Sequence, residues 1–272
     1  MKRYIKKTIC TLIVCVWCVN SISGCNRKMT PESLMSKVTG NLAKVKSVSN
    51  SLNMDVELED VLQTTEIAMD MKTENTTKPM AGHAKGSAHV NLSGTEVGSD
   101  IEIYQIKEGQ EFVTYSSMYG KWSRETSNHS KNTALNKGLF QESGKTLKSF
   151  RIAKEPIQLE KKECYEMYGD ITGKELLQFM GLDMVGAFGL VNLPGTDTIA
   201  NMKIPITIDI YKEKLLPARI MIDMTDVMND LYDQNGKTTN INNFMIKLEY
   251  TGFNQTQKIE VPADIKAAAK AA

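Results

Sequence analysis

The sequence predicts an α+β fold whose main element is an antiparallel sheet with one apolar and one solvated face. Apolar and polar residues alternate with a period of two through most of residues 51–117, which is the pattern of half-buried antiparallel strands. The alternating runs follow one another at hairpin spacing, which favours a meander. Two further stretches, residues 31–46 and 172–189, have the spacing of an amphipathic helix instead.

The first helix is predicted over Pro31–Lys46, because Thr30 is a suitable cap and Pro31 suits the first turn. Its apolar residues share one face at helical spacing: Leu34, Val38, Leu42 and Val45. In the strand after it, residues 51–60, we expect the alternate apolar side chains to point inwards, namely Leu52, Met54, Val56 and Leu58. Further strands are predicted over residues 66–72, 83–94, 101–109 and 110–117, with a short one from Gly120.

The second half of the chain is predicted to combine helices with a second meander. Residues 131–152 have an uneven helical face that Gly138 and Gly144 interrupt, and residues 157–168 alternate as a strand. A wide apolar face predicts a helix over 172–189, beginning near Thr172. The end returns to strands over residues 203–211, 217–227 and 243–253, followed by a short strand and a frayed alanine-rich end at 259–270.

The N-terminus has the three parts of a secretory signal. Four cations and no acid occupy residues 1–7, an apolar run covers residues 8–19, and small residues follow. The run is too short to span a bilayer, which needs about 20 apolar residues. The alternative is a buried first helix, which the four cations and the Ser-Gly-Cys end disfavour. Residues 1–24 are therefore predicted to be a signal peptide.

The segment Ile22-Ser23-Gly24-Cys25 resembles the lipobox of bacterial lipoproteins. The resemblance implies that a diacylglycerol is attached to Cys25 through a thioether and that the chain is cleaved just before this residue. Two acyl chains suffice for stable anchoring, whereas one chain holds only marginally. Residues 25–30 would then be a lipidated tether, and residues 31–272 a single domain.

Composition excludes several classes of partner and of covalent structure. The chain has 33 basic and 32 acidic residues, so losing the four cations of the signal leaves a weakly acidic domain with no sign of a nucleic-acid-binding patch. Such a domain is also not attracted to an anionic membrane and needs the lipid to stay there. Of the five cysteines, only Cys164 lies beyond Cys25, so the domain has no intramolecular disulfide. We interpret Cys164 as a strand residue, not a nucleophile.

No motif in the sequence indicates catalysis, a cofactor or a metal. The Gly-x-Ser-x-Gly, Walker A and Gly-x-Gly-x-x-Gly motifs are absent. The histidines are His83, His89 and His129, and the first two would lie about 20 Å apart on one straight strand, too far to share a metal. We interpret all three as surface residues and the acidic residues as the solvated face of the sheet. The prediction is therefore a protein that is not an enzyme.

The order of the elements resembles that of lipoproteins of Gram-positive bacteria with a LolA-like fold, and more remotely that of LolA, LolB and LprG/LppX. Individual stretches add to the resemblance: residues 69–72 (MDMK), 101–115 (IEIYQIKEGQEFVTY), 120–122 (GKW) and 259–262 (IEVP). The resemblance implies a strongly curved antiparallel sheet, an unclosed half-barrel, with helices covering its concave face. It also implies an apolar cavity between sheet and helices, which takes acyl chains or lipoproteins in better-known relatives.

Two hypotheses follow from this resemblance. The first is a carrier or sensor of a lipid or other hydrophobic ligand, anchored at the outer face of the cytoplasmic membrane, with methionines that deform around the ligand. The second is a protein-interaction or regulatory module of the cell envelope that has no ligand. Under the first, the helix over 172–189 should cover the mouth of the cavity, with these residues facing the sheet: Leu177, Met180, Met184 and Phe188. The alternative for this helix is an ordinary packed core element.

Overall fold

One hydrogen-bonded sheet of 13 strands contains every strand among the residues that the computed structural model describes, which are 29–128, 146–180, 201–234, 238–256 and 258–271. The first half of the chain supplies one helix and six strands: α1 (Pro31–Leu42), β1 (Ser47–Glu59), β2 (Thr64–Thr77), β3 (Met80–Leu92), β4 (Thr95–Glu108), β5 (Glu111–Met118) and β6 (Lys121–Ser127).

In the described ranges, the second half of the chain adds seven strands and three helices. After a single 3₁₀ turn at Thr146–Lys148, they are β7 (Arg151–Ile152), β8 (Ile157–Leu159), β9 (Lys162–Thr172), α2 (Gly173–Met180), β10 (Lys203–Tyr211), β11 (Pro217–Asp223), α3 (Thr225–Gln234), β12 (Asn240–Phe253), α4 (Ala263–Ala268) and β13 (Lys270–Ala271). None of these helices is long and apolar enough to cross a bilayer.

The sheet is open and almost wholly antiparallel, which confirms the predicted fold class. Its strand order is β13-β6-β5-β4-β3-β2-β1-β12-β11-β10-β9-β7, with β8 pairing β9, and only the β13–β6 pair is parallel. The two meanders predicted from the sequence are therefore joined into one sheet by β1, which pairs with β2 on one side and with β12 on the other.

One face of the sheet, which we call the apolar face, carries the side chains that alternate inwards along β1. Leu52 lies between Met71 of β2 and Leu248 of β12, and Val56 lies in the same way between Ile67 and Phe244. The prediction that Leu52, Met54 and Val56 point inwards is confirmed, because all three are buried, while Leu58 at the end of the row is half-buried.

The apolar face is driest where β9, β10 and β11 lie side by side. Isoleucines alternate along β10 and β11 and are almost completely removed from solvent: Ile204, Ile206, Ile208, Ile220 and Ile222. Helix α3 packs against β12, and α2 packs against β9. Helix α1 also buries one of its faces, comprising Leu34, Met35, Val38 and Leu42. This half of the sheet therefore supplies the hydrophobic core.

Helix α1 ends four residues before its predicted end at Lys46. Its last turn tightens, because the N–H groups of Lys44 and Val45 donate to the carbonyls of Asn41 and Leu42, three residues back, not four. Val45 is nevertheless buried, as the helical pattern had indicated, because the chain turns directly into β1.

Helix α3 is a correction to the predicted strand over 217–227. Strand β11 ends at Asp223. Its carboxylate accepts a hydrogen bond from the N–H of Thr225 at 3.0 Å and so satisfies a free donor at the start of the helix. Val227, Met228 and Leu231 then lie buried at helical spacing. The apolar residues near the junction fit both the strand period of two and the helical period. The strand was therefore predicted to continue into residues that form the helix.

Three further predictions need correction. The short strand and frayed alanine-rich end predicted at 259–270 are instead irregular chain over 258–262, then α4, and a strand, β13, only at the end. The helix predicted over 131–152 contains the 3₁₀ turn and β7 in its described part, 146–152. The strand predicted over 157–168 is a hairpin, because Glu160 and Lys161 both have positive φ and turn the chain between β8 and β9.

A half-exposed apolar face on strands β2 to β5

The apolar face continues beyond the core onto β3 and β4, where most of its side chains are half-buried. On β3 four successive residues that point to this face are small: Gly82, Ala84, Gly86 and Ala88. Register sets larger side chains beside them, with Met69 and Met71 on β2 and Ile101 and Ile103 on β4. We call these eight residues the small-residue trough.

Glycine at position 86 is required by the close approach of β2 and β3. A Cβ atom at Gly86 would overlap the backbone carbonyl of Asp70 and lie 2.8 Å from the Cα atom of Met71. Neither atom belongs to a flexible side chain, so the strands would have to separate. The trough is therefore lowest at its centre, between Met71 and Ile101.

The opposite face of β3 to β6 is covered by the C-terminal segment, residues 258–271. Ile259 and Val261 of this segment pack into a buried cluster with residues of the hairpins: Ala81, Tyr104, Val113 and Tyr115. Ile265 and Ala269 pack against the same cluster from α4 and just beyond it. Because the C-terminal segment packs on this side of the strands, the trough is the side on which β3 and β4 present partly exposed apolar surface.

A hydrogen-bonded cluster borders the C-terminal segment on that covered face. The His83 ring stacks on Tyr104 with centroids 4.1 Å apart, and its Nε2 lies 2.9 Å from Glu102 Oε1. Tyr104 donates its hydroxyl to the same oxygen at 3.1 Å, and Lys85 Nζ lies 3.2 Å from Glu102 Oε2. With its oxygens engaged by three neighbouring side chains, Glu102 serves the packing of the hairpins.

The pKa values in this cluster follow from its contacts. Burial raises the pKa of Tyr104 to about 12, and the neighbouring carboxylate of Glu102 adds to the increase. For Glu102 itself, burial raises the pKa, but the hydrogen bonds from His83, Lys85 and Tyr104 outweigh it and hold the pKa below its ordinary value. The pair therefore consists of a stable carboxylate and a stable phenol, neither suited to exchanging a proton near neutral pH.

An open polar groove of about 380 Å³ lies near the β3–β4 turn and is lined by His89, Glu96, Gly98, Ser99 and Asp100. His89 Nδ1 lies 3.1 Å from Glu96 Oε1, and a Cβ atom at Gly98 would lie 2.5 Å from the same nitrogen. In the part of the chain that the structure describes, no three His, Cys, Asp or Glu side chains are arranged to hold a metal ion.

Two buried titratable groups lie side by side on β9 and β10. Cys164 is fully buried in β9, and burial, aided by the charge of Asp209, raises the pKa of its thiol to about 11. A thiol with this pKa is almost entirely protonated near neutral pH, which agrees with its interpretation as a strand residue. Asp209 is also fully buried, and Arg219 Nε donates to its Oδ2 at 2.7 Å.

The pairing of Asp209 with Arg219 is incomplete. The other carboxylate oxygen, Oδ1, is buried and has no hydrogen-bond partner among the described residues. Burial raises the pKa of Asp209 above its ordinary value, and the Arg219 guanidinium counteracts only part of this increase. The Arg219 side chain is 21% exposed, so the pair lies just beneath the surface of β10 and β11.

The residues predicted to line a cavity fall at the edge of the described chain. The start of their helix is confirmed by a capping box, in which Thr172 N donates to Glu175 Oε2 at 2.6 Å and Glu175 N donates to Thr172 Oγ1 at 3.3 Å. Leu177 and Met180 belong to α2. The predicted sites at Met184, Phe188 and Cys25 lie outside the described residues.

The protein belongs to the α+β class. Its open antiparallel sheet has a hydrophobic core at one end and a partly exposed apolar trough at the other. Within that class the chain belongs to a family of unknown function, DUF6612, whose profile matches residues 30–270. No curated protein matches the chain.

The chain is also similar to three solved structures. LppX, a lipoprotein of Mycobacterium tuberculosis, shares 13% identity, with 85% of this chain and 98% of LppX aligned and a TM-score of 0.45. LprF from Mycobacterium bovis shares 13% identity over 86% of this chain and 97% of its own, with a TM-score of 0.49. A putative outer membrane lipoprotein-sorting protein domain from Vibrio parahaemolyticus shares 9% over 84% and 95%, with a TM-score of 0.26.

Proposed function

We propose that the protein is a membrane-anchored extracytoplasmic lipoprotein that binds a lipid or another hydrophobic ligand, as a carrier or a sensor. The observation that carries the proposal is the small-residue trough, where the apolar face continues beyond the core but five residues are only half-buried: Ala84, Gly86, Ala88, Ile101 and Ile103. Partly exposed apolar residues gathered on one face commonly mark a binding site. Because the opposite face of the same strands is occupied, the ligand has one side on which to lie.

The energetics of such a ligand favour exchange with a membrane. A lipid with about 30 methylene groups gains roughly 24 kcal/mol on leaving water, but a bilayer already provides this gain. A carrier therefore needs only to match the bilayer, and adaptable side chains are suited to that match. Met69 and Met71 on one flank of the trough provide them, because methionine adjusts its shape at little cost.

The proposal places the domain at the outer face of the cytoplasmic membrane through a lipid on Cys25, after removal of residues 1–24. Residues 25–30 serve as the tether and residues 31–272 as the domain. The helix that begins at Gly173 covers the ligand, with Leu177, Met180, Met184 and Phe188 on its inner side. Support for the anchor comes from the signal and the lipobox in the sequence.

Replacement of Cys25 by alanine is expected to release the protein from the membrane fraction. The weakly acidic domain has no other attraction to an anionic bilayer, whereas two acyl chains anchor it stably. Cell fractionation and mass spectrometry of the N-terminal peptide measure both consequences. A wild-type peptide without acyl mass, or a cleaved Cys25→Ala protein that stays equally membrane-bound, contradicts the anchor.

Filling the trough is expected to remove the ligand without unfolding the protein. Ala84→Trp places an indole on the half-exposed side of β3, where it should lower the load of copurified lipid and the affinity for a fluorescent phospholipid by about tenfold. The matched control is Lys72→Trp, an exposed residue that alternates to the opposite face of β2. Both variants should melt within a few degrees of the wild type.

The same experiment separates the proposal from its alternative. If the wild type copurifies with no lipid and binds no probe, the protein is a protein-interaction module of the cell envelope without a ligand. Equal binding by the Ala84→Trp and Lys72→Trp variants would place the ligand elsewhere than in the trough.

A further inference from the structure

Large apolar side chains are exposed at one end of the sheet. Since neighbouring strands are antiparallel, the β1–β2, β3–β4 and β5–β6 turns all point to the same end of the sheet, with the β5–β6 turn set back along β4 beside Ser99 and Ile101. Residues at or beside these turns expose between 42% and 92% of their surface: Val61, Leu62, Leu92, Val97, Met118 and Tyr119. We call these six residues the hairpin tips. They make up most of the exposed large hydrophobic residues in the described part of the chain.

The hairpin tips are held in place by local hydrogen bonds. In the β1–β2 turn, Asp60 N donates to the carbonyl of Gln63 at 2.9 Å, and Val61 N donates to Asp60 Oδ1 at 2.7 Å. In the β5–β6 turn, Tyr119 N donates to Ser99 Oγ at 2.9 Å, which ties this turn to β4. The apolar side chains are therefore presented on ordered turns.

Tyr119 occupies a position that its residue type disfavours. Its φ of 52° and that of 72° at Gly120 place the pair in the left-handed region, where two-residue hairpin turns prefer asparagine or glycine. The left-handed conformation is unfavourable for a residue with a Cβ atom. A tyrosine that is 67% exposed recovers none of this cost by burial in the domain. A contact of this side chain with a partner outside the domain would offset the strain.

The surroundings of the hairpin tips are acidic. Residues 57–66, 93–100 and 117–123 contain one cation, Lys121, and six acids: Glu57, Glu59, Asp60, Glu66, Glu96 and Asp100. In the described part of the chain, the partners of these acids are the amides of Asn242 and Asn91, the Thr238 hydroxyl, the N–H of Val61, and His89, with no lysine or arginine among them.

We propose that the hairpin tips dock a partner protein through a basic amphipathic helix, with apolar side chains against the tips and lysines or arginines against the surrounding acids. Charge complementarity decides between occupants. An anionic bilayer is repelled by the acids, and an uncharged apolar surface would strip water from them without replacing it. A basic amphipathic helix covers the apolar hairpin tips with its apolar face and pairs the surrounding acids with its cations.

The position of this surface relates it to the trough. Leu92, Val97 and Met118 point to the same face of the sheet as Ala88 and Ile101, so a docked helix would lie across the end of the trough. The inference does not depend on ligand binding, because none of the six hairpin tips belongs to the trough.

The test uses the purified protein and a synthetic leucine–lysine peptide of about 18 residues, roughly five helical turns, that forms an amphipathic helix. A peptide with glutamate in place of lysine is the charge control. Titration calorimetry should show binding of the lysine peptide that weakens with added salt, and little binding of the glutamate peptide. Leu62→Ser with Met118→Ser should weaken binding about tenfold, as the loss of two central apolar contacts does.

Matched variants at the other end of the sheet keep the test specific. Met80→Ser removes an exposed apolar side chain beside the β2–β3 turn, and Glu108→Gln removes an exposed carboxylate beside the β4–β5 turn. Neither should change the affinity, whereas Glu59→Gln with Glu66→Gln should lower both the affinity and its salt dependence. No binding of the lysine peptide, or equal binding by all variants, overturns the proposal. Binding to phosphatidylglycerol vesicles through Leu62 and Met118, without binding to the peptide, overturns it in favour of a bilayer.

Discussion

Arg219→Met is expected to lower the free energy of unfolding by about 3–5 kcal/mol at neutral pH, as is usual when one partner of a buried ion pair is removed. The substitution keeps most of the side-chain volume but leaves the fully buried Asp209 carboxylate without its hydrogen-bond donor. Asp209 Oδ1 already lacks a partner among the described residues, so the strands offer little to replace the guanidinium. Urea unfolding followed by circular dichroism measures the change.

The destabilisation by Arg219→Met is expected to shrink as the pH falls. The pKa of Asp209 is raised in the folded protein, so the cost of its ionised form is complete above the folded pKa and disappears as the pH falls towards 3.8, its ordinary value. Without Arg219 the folded pKa rises further, because burial is then opposed by no nearby cation. The stability gap between wild type and variant should therefore narrow from neutral to mildly acidic pH.

A double variant provides the control for this prediction. Asp209→Leu combined with Arg219→Met replaces the whole pair by apolar side chains, which is commonly neutral or stabilising at buried sites. It should recover most of the lost stability and show no narrowing with pH. A single variant that loses less than about 1 kcal/mol at neutral pH, with no pH dependence, would mean that the Asp209 carboxylate reaches water or another donor.

Val56→Asp is expected to destabilise the domain by several kcal/mol. Val56 is buried in the centre of the apolar face, and its neighbours across the strands, Ile67 and Phe244, offer no hydrogen bond to a carboxylate. The melting temperature and the urea midpoint should both fall sharply. Part of the loss should return at low pH, because protonation removes the buried charge.

The adjacent residue gives the matched control for Val56→Asp. Asp55 is exposed on the solvated face of the same strand, and Asp55→Val makes the reverse exchange there. This change should stay within about 0.5 kcal/mol of the wild type, as is usual for exposed positions. An unchanged melting temperature for Val56→Asp would show that this face is wet at β1.

The sequence patterns predicted those helices and strands that depend on interactions between residues close in the chain. Alternation located the strands at both ends of the chain, and the wide apolar face predicted a helix beginning near Thr172, where the structure has a capping box with Glu175. Helix α3 was missed, because the alternation of Ile220 and Ile222 runs on through Met224 and conceals the change of period. A pattern read over short windows does not resolve such a junction.

The arrangement of the strands depends on contacts that no local pattern contains. The pairing of Val56 with Phe244 joins strands almost 200 residues apart, and the Ile259 and Val261 contacts with Tyr104 and Tyr115 are also non-local. A trace of the second contact was present in β4, whose apolar residues fall on both faces. Ile101 and Ile103 point to the trough, while Tyr104 and Ile106 point to the C-terminal segment.

The candidate site was predicted only in outline. The sequence showed that Ala84, Gly86 and Ala88 share a face, but their small size acquires meaning only when the register places Met71 and Ile101 beside them. The hairpin tips were not predicted, because exposure of Leu62 or Met118 at one common end depends on the strand order. The cavity residues of the helix over 172–189 and the anchor at Cys25 stay predictions.

The pairing of β1 with β12 also determines when the chain is able to reach its native state. β1 is among the first strands to be synthesised, yet one of its edges is completed only by Asn240–Phe253, and the covered face of β3 to β6 waits for the residues after it. Contacts between such distant segments form late, because the loop-closure entropy is lost before the contact stabilises it. A chain whose last residues are not yet free lacks both sets of contacts. The domain would therefore complete its folding only after the segment at 258–271 has been released.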